Sequence, residues 1–224
     1  MNLSRNRKII TTNDGSHSIL VPELNEQYHS VHGAIQEAEH VFLKMGLDDF
    51  INQDRGFLNV FEVGFGTGLN ALLSAEWAKA NQQALNYTSI EKYPILKEEF
   101  EQLNYGDIIG QEELYQKINS SKWNEFVGIS DKFNLRKLEM DLNEDFLPDG
   151  FDVIFFDAFA PNKQPKLWSV SVFEKIFKIM NKKAVLVTYC CQGQARRNMI
   201  SAGFSVKKVQ GPPGKREMLK AIKL

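Results

Sequence analysis

Leu58-Asn59-Val60-Phe61-Glu62-Val63-Gly64-Phe65-Gly66-Thr67-Gly68 is the stretch that decides the fold. Its first six residues read as a short buried strand, the glycines make a turn, and Leu69 through Ala80 follows with helix-forming residues at helical spacing. Glycine lets the backbone turn tightly and approach a ligand closely, and the helix that follows offers unpaired amides. Something polar binds there. The dinucleotide fingerprint Gly-x-Gly-x-x-Gly fails, because Leu69 stands where its third glycine is required.

Outward from this unit the pattern repeats. Tyr87–Ile90 reads as a strand, Pro94–Leu103 and Gln111–Trp123 as helical runs, and Phe133–Leu138 as a strand. Phe151–Phe156 has the continuous apolar character of a central strand, Val170–Met180 reads as a helix and Ala184–Tyr189 as a further strand. Such alternation predicts an α/β, doubly wound, mostly parallel sheet with helices on both faces. After a helix near Ala195–Ala202, the runs Phe204–Val209 and Met218–Leu224 flank Gly211-Pro212-Pro213-Gly214 and predict a closing antiparallel hairpin. Upstream, Lys8–Thr12 and Ser16–Val21 flank Asn13-Asp14-Gly15 as a small hairpin, and a helix spans about Gly33–Phe50. The expected organisation is an N-terminal extension over 1–56 and a core domain over 57–224.

The 224 residues, 43% hydrophobic and 25% charged, match a folded globular chain and exclude fibrous, disulfide-scaffold and disordered classes. The apolar runs are far shorter than the roughly 20 residues of a membrane span, and Met1–Lys8 is basic without a signal-peptide apolar stretch behind it. Cys190 and Cys191 are neighbours and offer no disulfide framework, so the expectation is the cytoplasm. The four histidines lack ligand spacing, and no metal is expected. Charge is unevenly spread. Asn162–Leu224 holds 14 Lys and Arg against Glu174 and Glu217, a net +12, which leaves −13 for the remainder of a chain whose total is −1. This points to a polyanion-binding face or to a set of solvated basic surfaces.

Three groups of residues carry the candidate chemistry. Gly64, Gly66 and Gly68 form the cradle, and Glu91, 23 residues past Gly68, ends the next strand, where an acceptor takes both ribose hydroxyls. Asp157, in Phe156-Asp157-Ala158-Phe159-Ala160-Pro161, emerges after the fourth strand at the same sheet edge, and the loop runs on through Pro165 to Trp168 with aromatics at both ends. Phe159 and Trp168 are candidate walls for a flat base, or packing residues. Lys215 and Arg216 follow the Gly-Pro-Pro-Gly turn as candidate phosphate contacts, with Arg196, Arg197, Lys207 and Lys208 further afield.

A mostly parallel, seven-stranded sheet closed by a C-terminal hairpin is similar to the class I, Rossmann-like, S-adenosylmethionine-dependent methyltransferases. Glu62 ahead of Gly-x-Gly-x-Gly resembles their first motif. That resemblance implies S-adenosylmethionine as cofactor, Glu62 on the ammonium side of its methionine end, and Asp141 near adenine or as a turn residue. More narrowly, Asp157-Ala158-Phe159-Ala160-Pro161 with Leu167-Trp168, Phe65-Gly66-Thr67-Gly68-Leu69-Asn70 and Gly214-Lys215-Arg216-Glu217-Met218-Leu219 resemble the tRNA 5-aminomethyl-2-thiouridine methyltransferase family. Tyr28-His29-Ser30, Gly33 and Glu39-His40-Val41-Phe42-Leu43 resemble its N-terminal block.

The family implies methyl transfer to the exocyclic amine of the wobble nucleoside, with Asn70 among the cofactor residues, Asp157 orienting the ammonium and taking its proton, and tRNA as partner. In some bacteria the domain is fused to a flavin-dependent oxidoreductase. Here the chain ends at Leu224, so no FAD is expected and a separate oxidoreductase is the expected supplier. A methyltransferase for a small-molecule or protein amine needs the cofactor end without the basic C-terminal part. An RNA-binding module needs the reverse, and a dinucleotide reductase is the distant fourth reading.

Overall fold

The computed structural model describes residues 7–51, 56–143 and 146–224, so the basic run up to Asn6 lies outside the described residues. Strand β1 (Lys8–Thr11) pairs antiparallel with β2 (His17–Val21) around the expected Asn13-Asp14-Gly15 turn. Asp14 holds that turn: its Oδ1 accepts from Thr12 Oγ1 at 2.8 Å and from the Ser16 amide at 3.0 Å. A two-residue strand, β3 (Glu26–Gln27), adds to the other side of β2 and makes a three-stranded sheet.

The single helix expected over 33–50 is instead three segments. Helix α1 (Ala34–Ala38) widens into a π-helical turn over Glu39–Lys44, and a 3₁₀ turn follows at Leu47–Phe50. The wider turn lets the adjacent Val41 and Phe42 both face inward, where they are 0% and 2% exposed.

The core sheet begins with β4 (Phe57–Val63), followed by α2 (Leu69–Ala80) and β5 (Ala84–Glu91). Three short helices, α3 (Lys97–Phe100), α4 (Tyr105–Ile109) and α5 (Glu112–Ser120), lead to β6 (Phe126–Ser130) and β7 (Phe133–Glu139). The chain then alternates through β8 (Phe151–Phe156), α6 (Val170–Ile179), β9 (Met180–Thr188) and α7 (Gly193–Ser201). It closes with β10 (Ser205–Gln210) and β11 (Glu217–Ile222).

The spatial order is β10-β11-β9-β8-β4-β5-β7-β6. Strand β4 runs parallel to both β5 and β8, β5 is parallel to β7 and β8 to β9, while β11 is antiparallel to β9 and β10. The sheet therefore has eight strands, one more than expected. The addition is β6, which turns back antiparallel on β7 at the edge. Only Ile129 of β6 is buried, so it lacks the alternating apolar signal of an internal strand.

Side chains along β4 alternate between two apolar layers. Leu58 and Val60 pack with Tyr87, Phe155 and the extension's Val41 and Phe42, whereas Phe61 and Val63 pack with Phe156, Phe173 and Leu186. Strand order reverses between β4 and β8, which opens a crevice at their carboxyl ends. No helix among the described residues is long and apolar enough to cross a membrane.

Candidate active site

The crevice begins where β4 ends. Gly64 and Phe65 donate their amides to the Ile90 carbonyl at 3.0 and 3.1 Å, and Asp157, just past β8, donates its own to the Val63 carbonyl at 3.1 Å. The backbone of Asp157 is thus stitched to the glycine turn. A Cβ on Gly64, at φ +93°, would meet the Asp157 carbonyl oxygen at 2.9 Å, so only glycine permits this approach.

A cavity of about 640 Å³ fills this edge of the sheet. Its walls come from the glycine turn, from Glu91–Tyr93 after β5, from Met140–Asn143 after β7, from Asp157–Ala160 after β8, and from Tyr189 after β9. The extension adds Tyr28, His29 and Ser30, and the C-terminal turn adds Lys215. Of the residues singled out from sequence, Gly64, Gly66, Asn70, Glu91, Asp141, Asp157, Phe159 and Lys215 line it; Glu62, Gly68, Trp168 and Arg216 do not.

Glu62 lies behind the wall. It is 1% exposed, with Oε2 accepting from Ser89 Oγ at 2.6 Å and Oε1 from Asn70 Nδ2 at 2.9 Å, and burial pushes its carboxyl up to about 8. It faces Asn70, not the cavity. Asn70 Nδ2 also donates to Asp157 Oδ2 at 2.9 Å, and the buried Asn70 Oδ1 has no partner. Asp157 is partly exposed to the cavity. Burial, and after it the charge of Glu37, push its carboxyl up to about 7, against the opposing Asn70 hydrogen bond and Lys215 charge.

At the end of β5, Glu91 accepts from the Gly66 amide at 3.2 Å and from the Tyr93 amide at 2.8 Å, so the carboxylate itself props the glycine turn. Gly68 precedes α2 in the left-handed region at φ +76°; its contribution is the turn and not a cavity surface. Asp141 pairs with Lys92 Nζ at 2.5 Å and accepts from the Asn143 amide at 2.9 Å. Burial works against these bonds, yet they hold its carboxyl below the ordinary value.

The loop after β8 is fixed at successive backbone groups. Tyr189 Oη donates to the Ala158 carbonyl at 2.8 Å, Phe159 N donates to Gln164 Oε1 at 3.1 Å, and Trp168 Nε1 donates to the Phe159 carbonyl at 2.8 Å. Trp168 is only 2% exposed and packs edge-on against Phe156 with centroids 4.9 Å apart, so it braces Phe159 from behind instead of walling the cavity. Phe159 does face the cavity, edge-on to Tyr28 at 5.2 Å. Lys163 ties the loop to the extension, its Nζ donating to the Leu24 carbonyl at 2.7 Å.

Lys215 and Arg216 part company. Arg216 is exposed, but Lys215 turns inward to Glu37 Oε1 at 2.5 Å. The sequence reading missed Arg7, Tyr28, His29, Glu37 and Tyr189 as lining residues. Only Tyr28 and His29 fell within a motif quoted for the family resemblance. The others carry no local signal of a site.

A family model described as S-adenosyl-L-methionine-dependent methyltransferase matches residues 112–224. The chain is similar to the tRNA 5-methylaminomethyl-2-thiouridine biosynthesis bifunctional protein MnmC of Burkholderia mallei (strain SAVP1), at 30% identity over 236 residues, covering 94% of this chain and 34% of that protein. The corresponding protein of Burkholderia multivorans (strain ATCC 17616 / 249) is 31% identical over 224 residues, covering 90% and 33%. The chain therefore spans about a third of the length of these curated relatives.

Among solved structures, MNMC2 from Aquifex aeolicus superimposes with a TM-score of 0.76 at 25% identity, over 97% of this chain and 70% of that one. Spermidine synthase from Thermotoga maritima, at 12% identity and a TM-score of 0.52 over 96% of this chain and 72% of that one, shares the fold alone. With a model matching half of its length, a cradle of glycines at the carboxyl edge of β4 and an acid ending β5, the chain belongs to the S-adenosyl-L-methionine-dependent methyltransferase family.

Proposed function

We propose that this chain transfers a methyl group from S-adenosylmethionine to the exocyclic amine of 5-aminomethyl-2-thiouridine at the tRNA wobble position, forming 5-methylaminomethyl-2-thiouridine. The observation that carries this reading is Asp157, a carboxylate on the cavity wall, joined through its backbone to β4 and through Asn70 to the base of the glycine turn. The names of the bifunctional relatives supply the nucleoside.

The residues fit the cofactor. The cradle excludes a Cβ at Gly64, Glu91 is oriented by two backbone amides at the ribose position, and the buried Asn70 Oδ1 is an acceptor without a donor. Gly64, Gly66, Asn70, Glu91 and Asp141 would hold it, with Glu62 and Gly68 shaping the turn beneath. Bound there, S-adenosylmethionine supplies a methyl group activated by its sulfonium.

The acceptor's requirement is a free lone pair. An alkylamine with a pKa of roughly 10 is protonated at neutral pH and must lose that proton before attacking carbon. Asp157, raised to about 7, is a better proton acceptor than an ordinary carboxylate near 3.8. The remaining gap of roughly three units corresponds to about 4 kcal/mol. Asp157 would take and hold that proton, which leaves the amine's lone pair free for the methyl group that bound S-adenosylmethionine would supply. The bonds that fix Ala158 and Phe159 give this wall of the cavity a set shape against which the acceptor would be oriented.

Exposed Lys166, Arg197 and Arg216 are the proposed phosphate contacts, a separate oxidoreductase the proposed source of the amine, and the cytoplasm the proposed site of action. Transfer of labelled methyl to tRNA from cells lacking the protein, followed by nucleoside mass spectrometry, tests this. Loss of the aminomethyl nucleoside with matching gain of its methylated form is expected. Binding of S-adenosylmethionine without transfer to tRNA would overturn the substrate and redirect the search to small-molecule or protein amines.

A further inference from the structure

Lys215 stands in an unusual place for a lysine on an exposed turn of a basic segment. Its Nζ lies 2.5 Å from Glu37 Oε1 and 4.4 Å from the centroid of the Tyr189 ring, inside the cavity that also contains Asp157. Glu37 is 9% exposed, and its other oxygen accepts from the Ser30 amide at 2.9 Å, so the carboxylate is fixed before any cation arrives. Tyr189 is fixed as well, by its hydroxyl bond to the Ala158 carbonyl. A rigid carboxylate and the face of an aromatic ring are together what recognises an alkylammonium.

The side chain that fills this position is itself a primary alkylammonium. So is the aminomethyl group of the acceptor. The turn that carries Lys215 is seated on the extension: a Cβ on Gly214 would collide with the His32 ring, and the Gln210 carbonyl lies 2.9 Å from His40 Nε2. On this side of the cavity the Lys215 charge pairs with Glu37 and acts on Asp157 in the sense opposite to that of Glu37.

We propose that Glu37 and the ring of Tyr189 form the ammonium subsite for the acceptor amine, and that Lys215 occupies it as a resident stand-in which the incoming aminomethyl group displaces. The inference rests on the tRNA reading above for the identity of the amine. Displacement costs little net charge, since one primary ammonium replaces another beside the same carboxylate. It also frees Lys215, on a turn next to exposed Arg216, to reach a phosphate of the bound nucleic acid. The exchange selects for a cation at the head of the acceptor before Asp157 takes its proton.

Ethylammonium is the probe, titrated into the full chain and followed by ligand-detected NMR. Lys215→Met should bind it at least about tenfold more tightly than the parent, because the resident cation is gone. Adding Glu37→Gln or Tyr189→Leu to Lys215→Met should abolish the gain, whereas adding Tyr189→Phe, which retains the ring, should preserve it. Lys215→Ala repeats the comparison should the methionine variant not fold. Equal binding by the parent and the lysine variants, or a gain that survives both second substitutions, overturns the subsite.

Turnover separates this from the substrate reading. Glu37→Gln should raise KM for undermodified tRNA about tenfold while leaving S-adenosylmethionine binding unchanged. Methyl transfer to tRNA with ethylammonium binding indifferent to Lys215 and Glu37 sinks the subsite alone. Glu37-dependent ethylammonium binding with no transfer to tRNA sinks the substrate reading alone.

Discussion

Glu62 and Asp157 share a single hydrogen-bond donor, the Nδ2 of Asn70, which lies 2.9 Å from Oε1 of the first and 2.9 Å from Oδ2 of the second. An amide nitrogen carries two hydrogens, and here each goes to a different carboxylate. Reversing the amide would aim its oxygen at both acids, so the pair fixes its orientation. Asp157 is thereby held from two sides, by the Val63 carbonyl on its backbone and by Asn70 on its side chain.

Asp157→Asn should keep S-adenosylmethionine affinity within about threefold and lower kcat by roughly 10²–10⁴. Calorimetric binding and single-turnover methyl transfer check the two halves. Unchanged turnover would remove Asp157 from the reaction.

The rate should follow the ionised form of Asp157. The acid limb of kcat/KM is therefore expected near pH 7, with activity rising as the pH rises through it. Asn70→Ala removes a hydrogen bond that favours the ionised form, so the limb should move to higher pH. A loss of rate with the limb unmoved would mean that Asn70 only supports the structure.

Glu62 titrates in the opposite sense from a salt-bridged carboxylate. Its ordinary value of 4.5 is raised to about 8 by burial, so the folded chain binds the proton more tightly than the unfolded one. The stability this contributes is complete below pH 4.5 and is lost as the pH climbs to about 8. Glu62→Gln, neutral throughout, should raise Tm relative to the parent by an amount that grows from about pH 5 to about pH 9. Scanning calorimetry across that range decides it, and a difference that shrinks with pH would contradict the assignment.

Alanine at Gly64 and at Gly66 should behave differently. At Gly64 the new Cβ meets the Asp157 backbone oxygen at 2.9 Å; at Gly66 it meets the Tyr28 ring at 3.1 Å, a longer contact and one with a side chain instead of backbone. Both positions have positive φ, costing about 1–2 kcal/mol. Gly64→Ala should therefore lose more stability and more S-adenosylmethionine affinity than Gly66→Ala. Thermal melts and calorimetric titration of both variants test the order.

Trp168→Phe keeps the aromatic packing on Phe156 but deletes the indole donor to the Phe159 carbonyl. The expected result is a higher KM for tRNA with unchanged cofactor binding. Altered cofactor affinity instead would place Trp168 closer to the donor than its geometry indicates.

What the amino-acid order determined by itself is the frame. Strand, glycine turn and helix are written in residues next to one another, because hydrophobic period, glycine's positive φ and helix propensity act over a few positions. The same logic put Glu91 and Asp157 at strand ends, and parallel pairing brings those ends to one edge. It failed where the signal is weak, as in the half-exposed β6, and where a single π-helical turn is too short to displace the α-helical apolar spacing around it, as at Glu39–Lys44.

The tertiary structure decided which side chains meet. Glu37 and Lys215 are 178 positions apart and pair across the cavity, Tyr28 of the extension covers a glycine turn nearly forty residues further on, and Trp168 turns into the core although its loop rims the site. No periodicity encodes such meetings. They follow from how the extension, the sheet and the closing hairpin pack, and that packing sent Lys215 inward to a buried carboxylate while its neighbour Arg216 stayed in solvent.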